Sequence, residues 1–178
     1  MQVRYLIALL IASTPLLSLA GRFGVGATYP LVFSEPNRAN AYQIKLIYDP
    51  ERFRWRKFNV FFDGGFTHVT DTGAHINRSM NFYSASPVAR YTFTYPWPVN
   101  PYIDIGIGVS YRDHTRLGGR NMGIHFAFED RIGAGLIFGR KQEWTLGIQA
   151  LHFSNCHFAS NNAGVTFPVM VTLAYRLP

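Results

Sequence analysis

The feature that most constrains the fold is a strict alternation of apolar residues with small or polar ones. In the clearest segment, Tyr102 to Ser110, isoleucine or valine occupies each odd position from Ile103 to Val109, and aspartate, glycine or serine occupies the even positions. Side chains two residues apart share one face of a strand, so this segment predicts a strand with one apolar face. Beyond residue 20, no segment has the roughly 18 uninterrupted apolar residues that a spanning helix requires.

Repetition of this pattern predicts an all-β fold, an eight-stranded antiparallel transmembrane β-barrel of the outer membrane. A soluble β-sandwich has the same period but needs a polar outer surface, whereas several of these segments have a minor face of small or polar residues that suits a barrel lumen. The sheet must close, because an open edge in hydrocarbon leaves unpaired backbone groups. The segments lie at about 22–33, 41–50, 57–69, 80–95, 101–112, 122–139, 143–155 and 164–177.

The first twenty residues have the pattern of a secretory signal peptide. Arg4 precedes an apolar stretch that ends in the small residue Ala20. The alternative is a retained transmembrane helix, which Pro15 and the small-residue exit disfavour. We therefore expect a signal peptide at residues 1–20 and a single outer-membrane domain at residues 21–178.

Positive charge is scattered along the chain. There are 17 Lys and Arg residues against 10 Asp and Glu, a formal net charge of +7. A protein that binds nucleic acid usually concentrates its positive charge on one face or helix, so we expect no nucleic-acid partner. Anionic headgroups of outer-membrane lipids suit this distribution better. Five arginines in or near the predicted outer loops are candidates to meet lipid phosphates: Arg38, Arg78, Arg112, Arg116 and Arg120.

The seventh segment brings a histidine and a serine to one face. Its even positions carry the apolar residues, so this face is expected to contact lipid, and His152 and Ser154 belong to it. Residues two apart on a strand are about 7 Å apart, close enough for a hydroxyl to bond an imidazole that takes its proton. Asn155 could supply an amide donor to an oxyanion. The alternative is a set of polar residues at the membrane interface.

Two motifs in a fixed order point to a known family. The first is Phe-Glu-Asp-Arg-Ile-Gly-Ala-Gly-Leu at 128–136, and the second is Ala-Leu-His-Phe-Ser-Asn at 150–155, followed by Asn-Ala-Gly at 162–164. Together they resemble the lipid A 3-O-deacylase (PagL) family, and the similarity covers essentially the chain after residue 20. The resemblance implies an outer-membrane esterase that removes the acyl chain ester-linked at position 3 of lipid A, without a metal or other cofactor. It also implies that Ser154 is the nucleophile, His152 the general base and Asn155 part of the oxyanion hole.

The sequence departs from this family at the acidic member of the triad. The family has a glutamate two residues after the glycine that matches Gly164, and here that position is Thr166; no Asp or Glu occurs from 144 to 178. Because the acid orients the imidazole and does not itself attack, we expect slower catalysis rather than none. Thr166 could accept a hydrogen bond from His152, but strict alternation would turn it into the lumen unless a β-bulge intervenes.

Asp130 is a candidate substitute for the missing acid. If the sixth and seventh segments pair so that Gly139 faces Glu143, Asp130 lies directly opposite His152 on the same face. The alternative is that Asp130 forms a structural charge cluster with Glu129 and Arg131. These two neighbours have the opposite parity and are expected to face the lumen.

Three other functions, a metal site, a non-enzymatic barrel and an acyltransferase, fit the sequence less well. His152, Cys156 and His157 lie close in sequence, but no fourth ligand stands at a recognisable spacing, so we expect no metal site. A barrel that has lost its acid could instead be a non-enzymatic structural or adhesive surface protein. An acyltransferase that takes acyl chains into the lumen would need its catalytic groups there. The leading expectation is a serine esterase that binds lipid A of lipopolysaccharide at the lipid-facing wall of the barrel and hydrolyses it there.

Overall fold

A computed structural model describes residues 21–32 and 39–178, so the predicted signal peptide and Arg38 lie outside the described residues. Within this part of the chain, no helix is long and apolar enough to cross a membrane. The long strands are Arg22–Pro30 (β1), Ala39–Asp49 (β2), Phe58–Asp71 (β3), Ser79–Thr92 (β4), Asn100–Arg112 (β5), Phe126–Phe138 (β6), Trp144–Ser154 (β7) and Val165–Arg176 (β8). Two-residue strands at Arg54–Trp55, Arg116–Leu117 and Arg120–Asn121 extend the connections.

The eight long strands close into an antiparallel barrel, which confirms the predicted fold class. Each long strand pairs with the next one in the chain, and β1 also pairs with β8, from Gly24 opposite Arg176 to Pro30 opposite Met170. The first and last described residues and the connections β2–β3, β4–β5 and β6–β7 lie at one end of the barrel, here called the terminal end. The connections β3–β4, β5–β6 and β7–β8 lie at the other end, here called the loop end.

Two of the strand boundaries that differ from the sequence prediction have a local cause. β4 ends at Thr92 instead of 95, just before a segment that contains Pro96 and Pro98, which have no N–H to donate to a strand pairing. β6 begins at Phe126 instead of 122, because Gly123 has a φ of 80° that is incompatible with extended backbone.

The lumen is filled, and its filling changes along the barrel axis. At mid-height, buried Glu129 accepts hydrogen bonds from Ser84 (2.7 Å), Ser86 (3.0 Å) and Gln43 (3.1 Å), and buried Arg131 pairs with Asp63. The prediction that both neighbours of Asp130 face the lumen is therefore confirmed. Towards the loop end the expected polar lining is replaced by an apolar cluster that includes Met80, Phe82, Leu117, Met122, Leu151, Phe153, Phe167 and Met170.

The outer wall is apolar, as the alternation predicts. Ile105, Ile107 and Val109 of β5 all point outward and are more than half exposed, and Ile132 of β6 is 63% exposed. Exposed apolar side chains on all eight strands of a closed sheet are unfavourable in water and suit hydrocarbon. The same parity places His152 on this wall.

A β-bulge in β8 reverses the alternation near the candidate site. Gln149 of β7 lies opposite Met170, but Leu151 lies opposite Phe167, so two β8 residues, Pro168 and Val169, face a single β7 residue. Pro168 cannot donate a backbone hydrogen bond, and bulges are among the few places where a sheet tolerates proline. Consequently, residues with even numbers point inward on one side of the bulge and outward on the other.

Candidate active site

Thr166 occupies the place that the missing acid would take beside His152. The two residues lie opposite each other in the β7–β8 pairing, and the bulge turns the threonine outward. The Nδ1 atom of His152 is 2.7 Å from Thr166 Oγ1. When Nδ1–H donates to this hydroxyl, Nε2 is unprotonated and can act as a base. The bulge that the sequence analysis required for this contact is therefore present.

Ser154 is the last residue of β7 and has the parity of His152. It is 8% exposed, and its Oγ lies 3.8 Å from the Sγ atom of Cys156. Among the described residues, Ser154 Oγ makes no hydrogen bond to the imidazole. Catalytic hydrogen bonds often tighten only when substrate binds, so the pair retains the sequence spacing needed for a nucleophile and a base.

Asn155 holds the loop that follows the serine. Its side chain is fully buried, and its Nδ2 donates to the carbonyl oxygens of Met122 (3.0 Å) and Asn161 (2.8 Å). Its backbone N–H donates to Asn162 Oδ1 at 2.9 Å. Because both amide hydrogens are engaged, the predicted oxyanion role stays a prediction, and it requires one of these bonds to open when substrate binds.

The loop after Ser154 is strained and held by these hydrogen bonds. Cys156 and His157 have φ values of 49° and 64°, which cost non-glycine residues of the order of 1 kcal/mol each. The backbone N–H of His157 donates to Asn155 Oδ1 at 3.0 Å. Such conformations persist where surrounding contacts determine them, and they cluster at functional sites.

Gly164 leaves the space that the imidazole occupies. A Cβ at this position would lie 2.9 Å from Cε1 of His152 and 2.8 Å from the carbonyl oxygen of Phe153. Both distances are too short for an alanine to fit without movement. In the sequence this glycine is recognisable only as part of a motif, because its steric role depends on β8 lying beside β7.

Asp130 lies directly opposite His152, as the predicted register requires. Both side chains are half-buried on the outer wall, and opposite residues in an antiparallel pair have Cβ atoms about 5 Å apart. Among the described residues, Asp130 has no hydrogen bond or ion pair, and the Nδ1 atom of His152 bonds Thr166 instead. The carboxylate therefore stands beside the imidazole without being bound to it.

An apolar groove runs along the outer wall from the imidazole. A shallow part of about 290 Å³ is bordered by Asp130, His152 and Thr166, and it continues past Ala150 into a part of about 570 Å³. The long part follows β6 towards Ala134, about 13 Å along the strand from Asp130. The groove forms where the outward side chains are small, and larger aliphatic side chains form its walls: Ile103, Ile105, Ile132 and Ile148.

Arg112 does not lie where the sequence predicted a contact with a lipid phosphate. Arg112, expected to meet a lipid phosphate, is instead 1% exposed and donates to the carbonyl oxygens of Met122 and Ile124, so it supports the loops from within. In the described part of the chain, no three His, Cys, Asp or Glu side chains are grouped so as to hold a metal ion.

The fold and the site define an outer-membrane β-barrel with a histidine and a serine beside an apolar groove on its lipid-facing wall. The model of the family described as "Lipid A 3-O-deacylase (PagL)" matches residues 21–176. The chain belongs to this family.

Comparisons with individual proteins agree with this assignment. The chain is 34% identical over 143 residues to lipid A deacylase PagL of Pseudomonas aeruginosa strain PAO1, with 77% of each chain covered. The crystal structure of the outer membrane enzyme PagL superimposes with a TM-score of 0.70 at 28% identity, covering 87% of this chain and 99% of that one. Neisserial surface protein A shares only the fold, with a TM-score of 0.56 at 14% identity, covering 89% and 97% of the two chains.

Proposed function

We propose that the protein hydrolyses the ester that links the 3-acyl chain to lipid A, with Ser154 as nucleophile and His152 as general base. The observation that carries this proposal is the position of His152, between the apolar groove and Ser154. A substrate in the outer leaflet can lay its acyl chain in the groove without leaving the membrane. Its ester then lies at the loop end of the groove, where His152 and Ser154 are.

The chemistry follows from the two side chains. Nε2 of His152 takes the proton of Ser154 Oγ as the oxygen attacks the ester carbonyl carbon. The imidazolium then gives this proton to the departing sugar oxygen, which leaves an acyl-serine. A water molecule, deprotonated by the same imidazole, attacks the acyl-serine and releases the fatty acid.

In this proposal, Thr166 and Asp130 together replace the absent glutamate. Thr166 fixes the orientation of the ring through Nδ1 (2.7 Å), and the carboxylate of Asp130, directly opposite on β6, is placed to stabilise the positive charge that develops on the ring in the transition state. A neutral hydroxyl stabilises a cation less than a carboxylate that accepts its hydrogen bond, so we expect reduced activity.

The test is mass spectrometry of lipid A from cells that express the protein. Expression should produce lipid A that lacks one 3-linked acyl chain, and Ser154→Ala should restore it. The matched control is Thr70→Ala, because Thr70 and His68 form a similar hydroxyl–imidazole contact (3.2 Å) on β3, across the barrel from β7. This control should deacylate as the wild type does.

Two results would change the assignment. Identical lipid A from the wild type and Ser154→Ala would leave a structural or adhesive barrel of the same family. Unchanged deacylation by Asp130→Asn would reduce Asp130 to a structural residue and leave Thr166 as the only group that orients the imidazole.

A further inference from the structure

The lumen opens at the terminal end into a cavity of about 210 Å³. Ends of β1, β2, β3, β4, β6, β7 and β8, together with the connection between β2 and β3, form its wall. The buried network of Glu129 and Arg131 and the apolar cluster separate it from the loop end, where the candidate active site lies. Six cationic side chains line this terminal cavity: Arg22, Arg54, Arg56, Lys57, Arg90 and Arg176.

The carboxylates near the cavity are already engaged. Asp49, its lining carboxylate, accepts hydrogen bonds from Arg54 (2.5 Å), Asn59 (3.0 Å) and the backbone N–H of Glu51 (2.9 Å). Arg22 lies 2.8 Å from Glu51, whose carboxylate is also 3.4 Å from Arg54. These contacts leave little acceptor capacity for the remaining cations.

Three lining cations form no ion pair within the part of the chain that the structure describes. Arg90 is paired with Asp104 at 2.7 Å, but Arg56, Lys57 and Arg176 form no ion pair or side-chain hydrogen bond. Arg176 is half-buried at the end of β8. Arg56 and Lys57 are exposed at the rim of the cavity, where solvent screens their charges, so the half-buried Arg176 is the cation whose repulsion with its neighbours an anion would relieve most.

The remaining polar groups of the cavity favour a phosphate ligand. Guanidinium groups bind phosphate oxygens in pairs of parallel hydrogen bonds, and threonine hydroxyls can donate further ones. The cavity, of about 210 Å³ and open to solvent, has room for a phosphate group with a short organic substituent. The hydroxyl groups that line it belong to Thr92, Thr94 and Thr145.

We propose that the terminal cavity is a phosphate-binding site, centred on Arg176 and supported by Arg56 and Lys57. The phosphate belongs either to a small soluble phosphate ester or to the headgroup of a phosphatidylglycerol molecule at the rim of the barrel. The proposal does not depend on the deacylase activity, because its readout is binding at the opposite end of the barrel.

Binding of soluble probes to the full protein in uncharged detergent tests the site directly. Isothermal titration with inorganic pyrophosphate and with glycerol 3-phosphate should give saturable binding at one site, and Arg176→Gln should weaken it about tenfold or more. Arg176→Lys should weaken it less, because it keeps the charge but loses the paired donors. Heat-modifiable migration in gels verifies that each variant forms a barrel.

The matched control is Arg140→Gln, which removes the same charge from the β6–β7 turn at the same end but outside the cavity lining. It should leave binding unchanged. Absence of binding for both probes overturns the proposal, provided that the protein purified in mild detergent also retains no phosphatidylglycerol. Equal losses in Arg176→Gln and Arg140→Gln overturn it too, because they would indicate only diffuse charge.

The same preparations distinguish the two sources of phosphate. If the headgroup is the natural ligand, mass spectrometry will find phosphatidylglycerol retained by the wild type and Arg140→Gln but lost from Arg176→Gln. If a soluble ester is the ligand, lipid retention will be equal in all three proteins while the titrations differ.

Discussion

Replacing Thr166 with glutamate tests whether the missing acid limits the reaction. Thr166 faces outward beside the groove, with Oγ1 2.7 Å from Nδ1 of His152. A glutamate here has open space towards the groove, so its carboxylate can fold back to accept the same hydrogen bond. The substitution changes the acceptor from a neutral hydroxyl to an anion without moving a strand.

The expected gain follows from the strengths of the two hydrogen bonds. A neutral hydrogen bond contributes a net of about 1 kcal/mol, and one to a charged group about 1.5–3 kcal/mol. The difference, about 0.5–2 kcal/mol, is expressed when the imidazole becomes positive in the transition state. Since 1.36 kcal/mol is a factor of ten, kcat should rise roughly 2- to 30-fold with little change in KM.

The assay is the initial rate of fatty-acid release from purified lipid A in mixed micelles, measured over a range of substrate concentrations. Thr166→Gln is the control for side-chain length, since it has a similar size and no charge. Thr166→Val, which removes the hydrogen bond, should lower kcat below that of the wild type. Equal rates for Thr166→Glu, Thr166→Gln and the wild type, all folded, would refute the view that a weak acceptor on Nδ1 limits this enzyme.

Three further predictions concern the surroundings of the site. Gly164→Ala should lower kcat at least tenfold, because its Cβ would lie 2.9 Å from the imidazole. The control Gly119→Ala should not lower kcat, because no atom lies within 4 Å of the Cβ at that position. Equal rates for the two variants would exclude the steric role of Gly164. Ala150→Phe should block the groove where its two parts meet and raise KM for long-chain substrates more than for short ones, a difference that liposome or micelle assays with defined esters can measure. Alkylation of exposed Cys156 with a bulky maleimide should abolish turnover because its sulfur lies 3.8 Å from Ser154 Oγ, and Cys156→Ala should be immune to the reagent; persistent activity after complete labelling, shown by intact mass, would contradict this geometry.

Features that depend on local periodicity could be read from the sequence. A period of two assigns each residue of a strand to one face, so the outward position of His152 and the inward positions of Glu129 and Arg131 followed from their parity. The short β6–β7 turn sets the register between its two strands, so the position of Asp130 opposite His152 could also be predicted.

Features that depend on how distant segments meet could not be read in the same way. The hydrogen bonds of Asn155 to Met122 and Asn161, the space at Gly164 and the convergence of cations around Arg176 each join residues from separate strands or loops. Parity alone says nothing about which loop carbonyls approach an amide, or which strand ends surround a cavity.

Local alternation was sufficient to predict eight strands, a closed sheet and the lipid-facing position of the histidine, because the face of each residue depends on its near neighbours and hydrocarbon forbids an open edge. The contact of Thr166 with that histidine depends instead on how β8 pairs with β7. The reason is the bulge at Pro168 and Val169, where two residues of β8 face one residue of β7. The β8 residues that precede the bulge, including Thr166, therefore have the opposite parity to those that follow it.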